Sequence, residues 1–87
     1  MQTIDTRKFR KNLEKLPNND QLAILDAIET IEDATTFADI SNLKAMQGYK
    51  NYFRLRVGNW RVGLFWTGTA FRLEDVGKRG DFYNRFP

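Results

Sequence analysis

Two short alternating segments joined by Gly58-Asn59 constrain the fold more than any other feature. Residues 52–57 and 60–66 read YFRLRV and WRVGLFW, with apolar side chains recurring at every second position. That period is typical of β-strands, and a Gly-Asn pair suits the positive φ angles of a two-residue hairpin turn. The sequence therefore predicts an antiparallel hairpin with Val57 opposite Trp60, Leu55 opposite Val62 and Phe53 opposite Leu64.

The second face of this hairpin carries arginines. Arg54 shares that face with Arg56 and Arg61, and the last two are predicted to lie directly opposite each other. Like charges opposed on a sheet destabilise it by roughly 0.2–1 kcal/mol. The pairing is explained either by an anionic ligand or by two solvated side chains that splay apart, and the hairpin alone leaves both explanations open.

Length and composition exclude several classes of function. The 87 residues are enough for one domain, which we expect to span residues 1–87. The chain has no cysteine and no histidine, which excludes disulfides, thiolate metal sites and histidine-based triads. We therefore expect no metal and no cofactor. No segment has the pattern of a signal peptide or a membrane span, so we expect a cytoplasmic protein without a membrane partner.

Charge is distributed unevenly along the chain. Residues 1–43 contain five Lys/Arg and eight Asp/Glu, a net charge of −3, whereas residues 44–87 contain nine and three, a net charge of +6. The half that contains the hairpin is therefore the basic half. A basic field of this kind attracts polyanions such as nucleic acid.

The first half predicts a short strand and two amphipathic helices. The strand is Met1–Asp5, and the first helix runs from Arg7 to Leu16 with Asp5 or Thr6 as its N-cap. The second runs from Gln21 to about Asp33 with Asp20 as its N-cap. Its predicted buried stripe is Ile24, Leu25, Ile28 and Ile31, and its acidic outer side is interpreted as a solvated face.

Residues 34–48 are interpreted as a connecting segment, and the hairpin is followed by a third strand, residues 70–76. In that register Glu74 neighbours Arg61 and orients its guanidinium group. A sharp turn is expected at residues 77–80, GKRG, with little or no helix after it. The predicted fold class is α+β, with two antiparallel N-terminal helices on one face of a twisted, mainly antiparallel sheet of three to four strands.

The face turned away from the helices is the predicted site. Basic groups interleaved with aromatic rings suit single-stranded RNA, because cations bind phosphates and rings stack with bases. RNA also carries its own nucleophile, the 2′-hydroxyl, so scission requires only a base, cations for the phosphorane and a proton donor. The residues predicted on this face are Lys50, Tyr52, Arg54, Arg56, Arg61, Phe65, Lys78, Arg79 and Tyr83, and the base is sought among Lys50, Lys78, Tyr83 and Glu74.

Three segments in this order resemble toxins of the RelE/ParE superfamily of bacterial toxin-antitoxin systems, specifically the RelE-like branch. They are LKAM at 43–46, RLRVGNWRV at 54–62 and VGKRGDFY at 76–83. The resemblance covers most of the chain. It implies a small endoribonuclease that enters the ribosomal A site, cuts mRNA without a metal, contacts 16S rRNA of the 70S ribosome and is inhibited by a cognate antitoxin.

The resemblance also implies residue roles. Arg54 or Arg56 falls where such toxins place basic catalytic groups, Arg61 and Arg79 match the two phosphate-stabilising arginines, and Tyr83 matches the C-terminal tyrosine near the scissile nucleotide. RelE-like enzymes commonly carry lysines on the first hairpin strand, where this chain has Tyr52 and Arg54. That departure leaves the general base open, with Lys50 and Glu74 as candidates.

Two other functions remain open at this stage. A ParE-like protein that poisons DNA gyrase shares the fold and the strand arginine without requiring Arg61, Arg79 and Tyr83 together. A catalytically degenerate, RNA-binding member of the superfamily is the other alternative. The presence of all three residues favours cleavage.

Overall fold

A five-stranded sheet with strand order β1-β5-β4-β3-β2 is the framework of the computed structural model, which describes residues 1–87. The outer strand β1 is parallel to β5, and every other pair of neighbours is antiparallel. The elements are β1 (Gln2–Asp5), α1 (Arg7–Glu14), α2 (Asn18–Asp33), a 3-10 turn (Phe37–Asp39), β2 (Leu43–Ala45), β3 (Tyr52–Val57), β4 (Trp60–Trp66), β5 (Ala70–Lys78) and α3 (Arg79–Tyr83).

Both long helices pack on one face of this sheet, as predicted for the α+β class. Phe9 and Leu13 of α1 and Ile24, Ile28 and Ile31 of α2 are buried in one apolar cluster with strand residues. The strand residues of this cluster are Leu55, Val62, Leu64, Phe71, Leu73 and Val76. None of the helices has the length and apolar character needed to cross a membrane.

The start of each long helix follows from a local hydrogen bond. Thr6 is the N-cap of α1, and its hydroxyl accepts a hydrogen bond from the Phe9 amide at 3.2 Å. The predicted N-cap of α2, Asp20, was wrong by three residues, because the N-cap is Pro17. The Pro17 carbonyl accepts hydrogen bonds from the Asp20 and Gln21 amides, both at 3.0 Å. Leu25 lies outside the buried stripe and is 48% exposed.

The predicted hairpin register is confirmed. Val57 pairs with Trp60, Leu55 with Val62 and Phe53 with Leu64. Of the two turn residues only Gly58 has a positive φ, 58°. A glycine with positive φ at the first position is typical of the type II′ turn.

The sheet has more strands than predicted. Residues 43–45, which the sequence places in a connecting segment, form β2 on the open side of β3. On the other edge, β1 pairs with residues 70–73 of β5. The parallel edge strand makes the sheet mixed.

The C-terminal third departs most from the prediction. Gly77 and Lys78 belong to β5, and Arg79 and Gly80 belong to α3, so the predicted sharp turn at residues 77–80 was wrong, and the helix after β5 is a short one of five residues. The ladder between β4 and β5 shifts at Gly63/Leu64, where a bulge changes the register. Because of this shift Arg61 pairs with Gly77 and lies three residues from Glu74.

Candidate nucleic-acid interface

Four basic side chains share the sheet face opposite the helices. Lys44 of β2 lies across from Arg54 of β3, and Arg56 of β3 lies across from Arg61 of β4. Residues that face each other on neighbouring strands project from the same side, and the strands are about 4.8 Å apart. We call Lys44, Arg54, Arg56 and Arg61 the cation strip.

Asn42 fixes the two arginines of β3. Its side-chain oxygen accepts a hydrogen bond from Arg56 Nη2 at 3.0 Å, and its backbone oxygen accepts one from Arg54 Nη1 at 3.4 Å. The residue has a φ of 66°, in the left-handed region that asparagine tolerates better than most residues. An arginine held at one end of its guanidinium group keeps its other N–H groups available for an anion.

Arg61 is the buried member of the strip. Only 7% of it is exposed, and Nη1 donates to the Gly58 and Trp60 carbonyls, both at 2.9 Å, which ties the side chain to the hairpin turn. Its Nε is buried without a hydrogen-bond partner. The predicted contact with Glu74 is wrong, because the bulge moves Glu74 away and its carboxylate accepts from Arg72 Nε at 3.0 Å.

The start of α3 lies at the hairpin turn. The Arg79 amide donates to the Asn59 carbonyl at 3.0 Å, which places the exposed Arg79 at the hairpin end of the sheet. Tyr83, at the end of α3, is 45% exposed. Lys78 pairs with Trp60 and lies over its ring at 5.8 Å, so this lysine projects from the helix side of the sheet, away from the strip.

Four predicted site residues lie at the other end of the sheet. Tyr52 pairs with Phe65, four residues along the strands from Arg56 and Arg61, a separation of about 13 Å at about 3.3 Å per residue. The Tyr52 and Phe65 ring centroids are 4.9 Å apart, and Arg72 covers Phe65 at 4.8 Å. Lys50 lies two residues before Tyr52, and Glu74, in the bulge opposite Gly63/Leu64, has its carboxylate held toward this end by Arg72 at 3.0 Å. The structure therefore divides the predicted site in two.

Comparison with known proteins decides the family. No family model matches the chain. Toxin RelE3 of Methanocaldococcus jannaschii is 31% identical over 88 residues, an alignment that covers 100% of each protein. The chain belongs to the RelE family of toxins.

Solved structures agree with this assignment of the RelE fold. The RelB-RelE antitoxin-toxin complex from Methanococcus jannaschii matches with a TM-score of 0.79 and 29% identity, covering 97% of this chain and 99% of that one. YafQ from E. coli has a TM-score of 0.73 at 15% identity, with 93% and 96% covered. At that identity the likeness to YafQ shows the fold alone.

A C-terminal segment that the sequence did not predict covers the middle of the strip face of this RelE chain. Phe82 is fully buried, and Phe86 lies on Gly63, where an added Cβ atom would be 2.6 Å from the ring. On the neighbouring strand, Gly77 leaves the same kind of space for the Arg85 guanidinium group, which would lie 2.6 Å from a Cβ atom added there. The two glycines let this segment approach the sheet closely.

A buried carboxylate holds the end of that segment. Asp75 is 0% exposed and accepts hydrogen bonds from Arg85 Nε at 2.9 Å, Asn12 Nδ2 at 2.7 Å and the Val76 amide at 2.8 Å. Arg85 also donates to the Val76 carbonyl at 3.0 Å. Asp75 thereby links α1, β5 and the segment that carries Tyr83.

Sequence reasoning missed Asn42, Lys44, Asp75 and Arg85. Leu43-Lys44-Ala45 alternates apolar and polar residues, but three residues are too few to predict β2 or to place Lys44 beside Arg54. No signal in the sequence pairs Asp75 with Arg85, because that contact depends on the path of the chain after α3.

Proposed function

We propose that this chain is an endoribonuclease that cuts mRNA in the A site of the ribosome, in the cytoplasm, and that a cognate antitoxin protein inhibits it. The observation that carries the proposal is the position of Arg56 and Arg61 beside Arg79 at the hairpin end of the sheet, with Arg54 two residues along β3, in a chain of the RelE family. Three arginines from the hairpin and one from α3 suit the negative charge of a phosphate that is being displaced.

The chemistry assigned to the site is attack by the RNA 2′-hydroxyl on the adjacent phosphate. The O–P bond to the 2′-oxygen forms, the bond to the 5′-oxygen breaks, and the 2′-hydroxyl proton passes to a base while the 5′-oxygen gains one. The arginines stabilise the phosphorane charge but stay protonated and do not act as the base. No metal or cofactor takes part in this scheme.

Tyr83 is assigned to proton transfer at the reacting nucleotide. Among the residues considered for the base, it alone belongs to a segment packed on the strip face. Lys78 projects from the helix side, Lys50 lies at the far end, and the carboxylate of Glu74 is paired with Arg72. The side chain of Tyr83 is 45% exposed, which leaves it accessible to a bound strand. We assign the aromatic pair Tyr52 and Phe65, at the far end of the sheet, to a second contact with RNA.

Antitoxin binding is proposed on two grounds. The chain matches the toxin of a solved RelB-RelE complex over nearly its whole length. Its basic half presents a cation strip that an acidic segment would neutralise.

Primer extension on an mRNA incubated with purified ribosomes and the purified chain tests the function. We expect discrete cuts within codons that require the ribosome. DNA breaks that depend on gyrase, beside an uncut mRNA, would contradict the proposal and favour a gyrase poison, whereas RNA binding without cuts would favour a degenerate RNA-binding protein.

A further inference from the structure

A second cleft lies around the hairpin turn from the cation strip, on the helix side of the sheet. It has a volume of about 520 Å³, which is within the usual range for small-molecule sites. The start of α2 forms one wall and the hairpin turn the other. The residues that matter for its chemistry are Asp20, Asn59, Trp60 and Lys78.

We propose that this cleft binds an unpaired nucleobase of the RNA substrate, with guanine preferred. The ligand class, RNA, rests on the proposed function, whereas the cleft and its chemistry do not. Single-stranded RNA is read by stacking its bases on aromatic rings and by hydrogen bonds to their Watson–Crick edges. The cleft offers both kinds of group.

Trp60 supplies the stacking surface. It is half-buried, with its ring partly packed against the core cluster, so its orientation is fixed by the fold. The exposed Lys78 covers the ring at 5.8 Å, close to the outer limit of a cation–π contact. Contacts of that kind at exposed positions are weaker than base–aromatic stacking, so an incoming base displaces the ammonium group. The displaced Lys78 remains beside the base, where the nucleotide's phosphate is expected.

Asp20 supplies the preference for guanine. The three ion pairs of the molecule use the carboxylates of Asp75 and Glu74, so the half-buried Asp20 has no cationic partner within the chain. An ionised carboxylate only accepts hydrogen bonds, and it accepts two parallel bonds from adjacent donors. Guanine presents two adjacent donors, N1–H and the exocyclic amino group, on its Watson–Crick edge, whereas adenine and cytosine present one amino group each.

The position of the cleft fits a strand bound at the strip. Trp60 immediately precedes Arg61, and the two side chains project from opposite faces of the same strand. Asn59, in the hairpin turn just before Trp60, also lines the cleft, and its carbonyl accepts the hydrogen bond from the Arg79 amide. A strand whose phosphate lies on the exposed Arg56, at the hairpin end of the strip, therefore reaches the cleft by passing around that end.

The two tryptophans give a matched pair of reporters. Trp66 is also half-buried, but it packs at the far end of the sheet, 5.0 Å from Phe37 and 4.9 Å from Phe71. Trp66→Phe leaves Trp60 as the only tryptophan, and Trp60→Phe leaves Trp66. Each variant is titrated with GMP, AMP, CMP and UMP while tryptophan fluorescence is recorded.

We expect GMP to quench Trp60 at the lowest concentration of the four nucleotides and to leave Trp66 unchanged. Asp20→Asn is expected to weaken GMP binding about tenfold and to remove the preference for GMP, because an amide cannot accept two parallel hydrogen bonds. Lys78→Gln is expected to weaken all four nucleotides by a similar factor. If Trp66→Phe does not fold, the indole N–H resonance of Trp60 in the unaltered chain reports the same titration.

Equal quenching of both tryptophans, no response of Trp60 to any nucleotide, or an unchanged GMP preference in Asp20→Asn would each overturn the proposal. If an antitoxin changes the fluorescence of Trp60 but none of the four nucleotides does, the cleft is a protein-binding site. That result would also overturn the proposal. The titration needs no ribosome, so a chain that binds GMP but does not cut mRNA refutes the proposed function alone. If the chain cuts mRNA but no nucleotide changes the fluorescence of Trp60, the proposed base-binding cleft alone is refuted.

Discussion

At the scale of single residues, the space above Gly63 decides whether the C-terminal segment can lie on the sheet. Gly63→Ala would place a methyl group 2.6 Å from the Phe86 ring, so the ring must move. Overpacking of this kind costs roughly 1–3 kcal/mol. We expect urea unfolding to show that loss in the free energy of unfolding.

Gly80→Ala is the matched control for that change. A Cβ atom at Gly80 meets nothing within 4 Å, and the residue lies inside α3. Alanine is favoured over glycine in a helix by about 0.5–1 kcal/mol. Equal destabilisation by both substitutions would show that the Phe86 contact is not what requires glycine at position 63.

Asp75 is the second residue on which the C-terminal segment depends. Asp75→Asn removes the buried charge that Arg85 pairs with at 2.9 Å. A broken buried ion pair costs roughly 3–5 kcal/mol, and because the Arg85 side chain is 43% exposed we expect roughly 2 kcal/mol here. Urea denaturation measures this loss in the free energy of unfolding.

Lys8→Gln is the control for Asp75→Asn. Its ammonium group lies 3.6 Å from the same carboxylate, but its side chain is 60% exposed, so we expect a loss below about 0.5 kcal/mol. A loss from Lys8→Gln as large as that from Asp75→Asn would contradict the assignment of Arg85 as the main partner.

At the scale of elements, the junction between α2 and the 3-10 turn depends on the ionisation of Asp39. Hydrogen bonds from the Thr35 hydroxyl at 2.9 Å and from the Thr36 amide at 3.1 Å hold the pKa of Asp39 below its ordinary value of 3.8. Because the folded pKa lies below the unfolded one, the ionised carboxylate stabilises the junction above about pH 4. This contribution is lost as pH falls through the folded pKa.

We therefore expect Asp39→Asn to reduce the acid sensitivity of residues 35–40 and to leave the rest of the chain unchanged. Amide hydrogen exchange of those residues between about pH 4 and pH 2.5 measures this. Asp33→Asn, at the exposed end of α2, is the control. Identical pH profiles for the unaltered chain and Asp39→Asn would contradict the prediction.

The elements that the sequence predicts are those with several periods of a regular pattern. The helices and the hairpin repeat their apolar spacing often enough to specify a face, and the Gly58 turn fixes the register. The three-residue strand β2 and the five-residue helix α3 are too short to show a period. Both are formed by tertiary contacts, β2 by pairing with β3 and α3 by burial of Phe82.

The predicted contact between Glu74 and Arg61 is wrong because it assumes that residues alternate between the two faces without interruption along β5. The bulge at Gly63/Leu64 adds one residue to the ladder, which moves Glu74 away from Arg61. The pairing of Arg56 with Arg61 is predicted correctly because only the hairpin turn separates them. Contacts that cross from β4 to β5 and to the C-terminal segment depend on geometry that a pattern of residues does not encode.

At the scale of the whole molecule, the helices and the cation strip lie on opposite faces of one sheet. Residues 1–43, which supply the helices, carry a net charge of −3, and residues 44–87, which supply the strip, carry +6. The strip lies in the basic half of the chain, and a polyanion is expected to bind the strip face. The central claim is that this face stabilises the charge of a phosphate during RNA scission.

The single-turnover rate of mRNA cleavage on purified ribosomes tests that claim most directly. Arg56 and Arg79 are exposed, so Arg56→Ala and Arg79→Ala are compared with the unaltered chain and with Arg10→Ala, a charge-matched change on α1. Loss of one charge-stabilising donor typically slows catalysis by about 10²–10³-fold. We expect that loss in the first two variants and a near-normal rate in the third. Near-normal cleavage by both Arg56→Ala and Arg79→Ala would contradict the account.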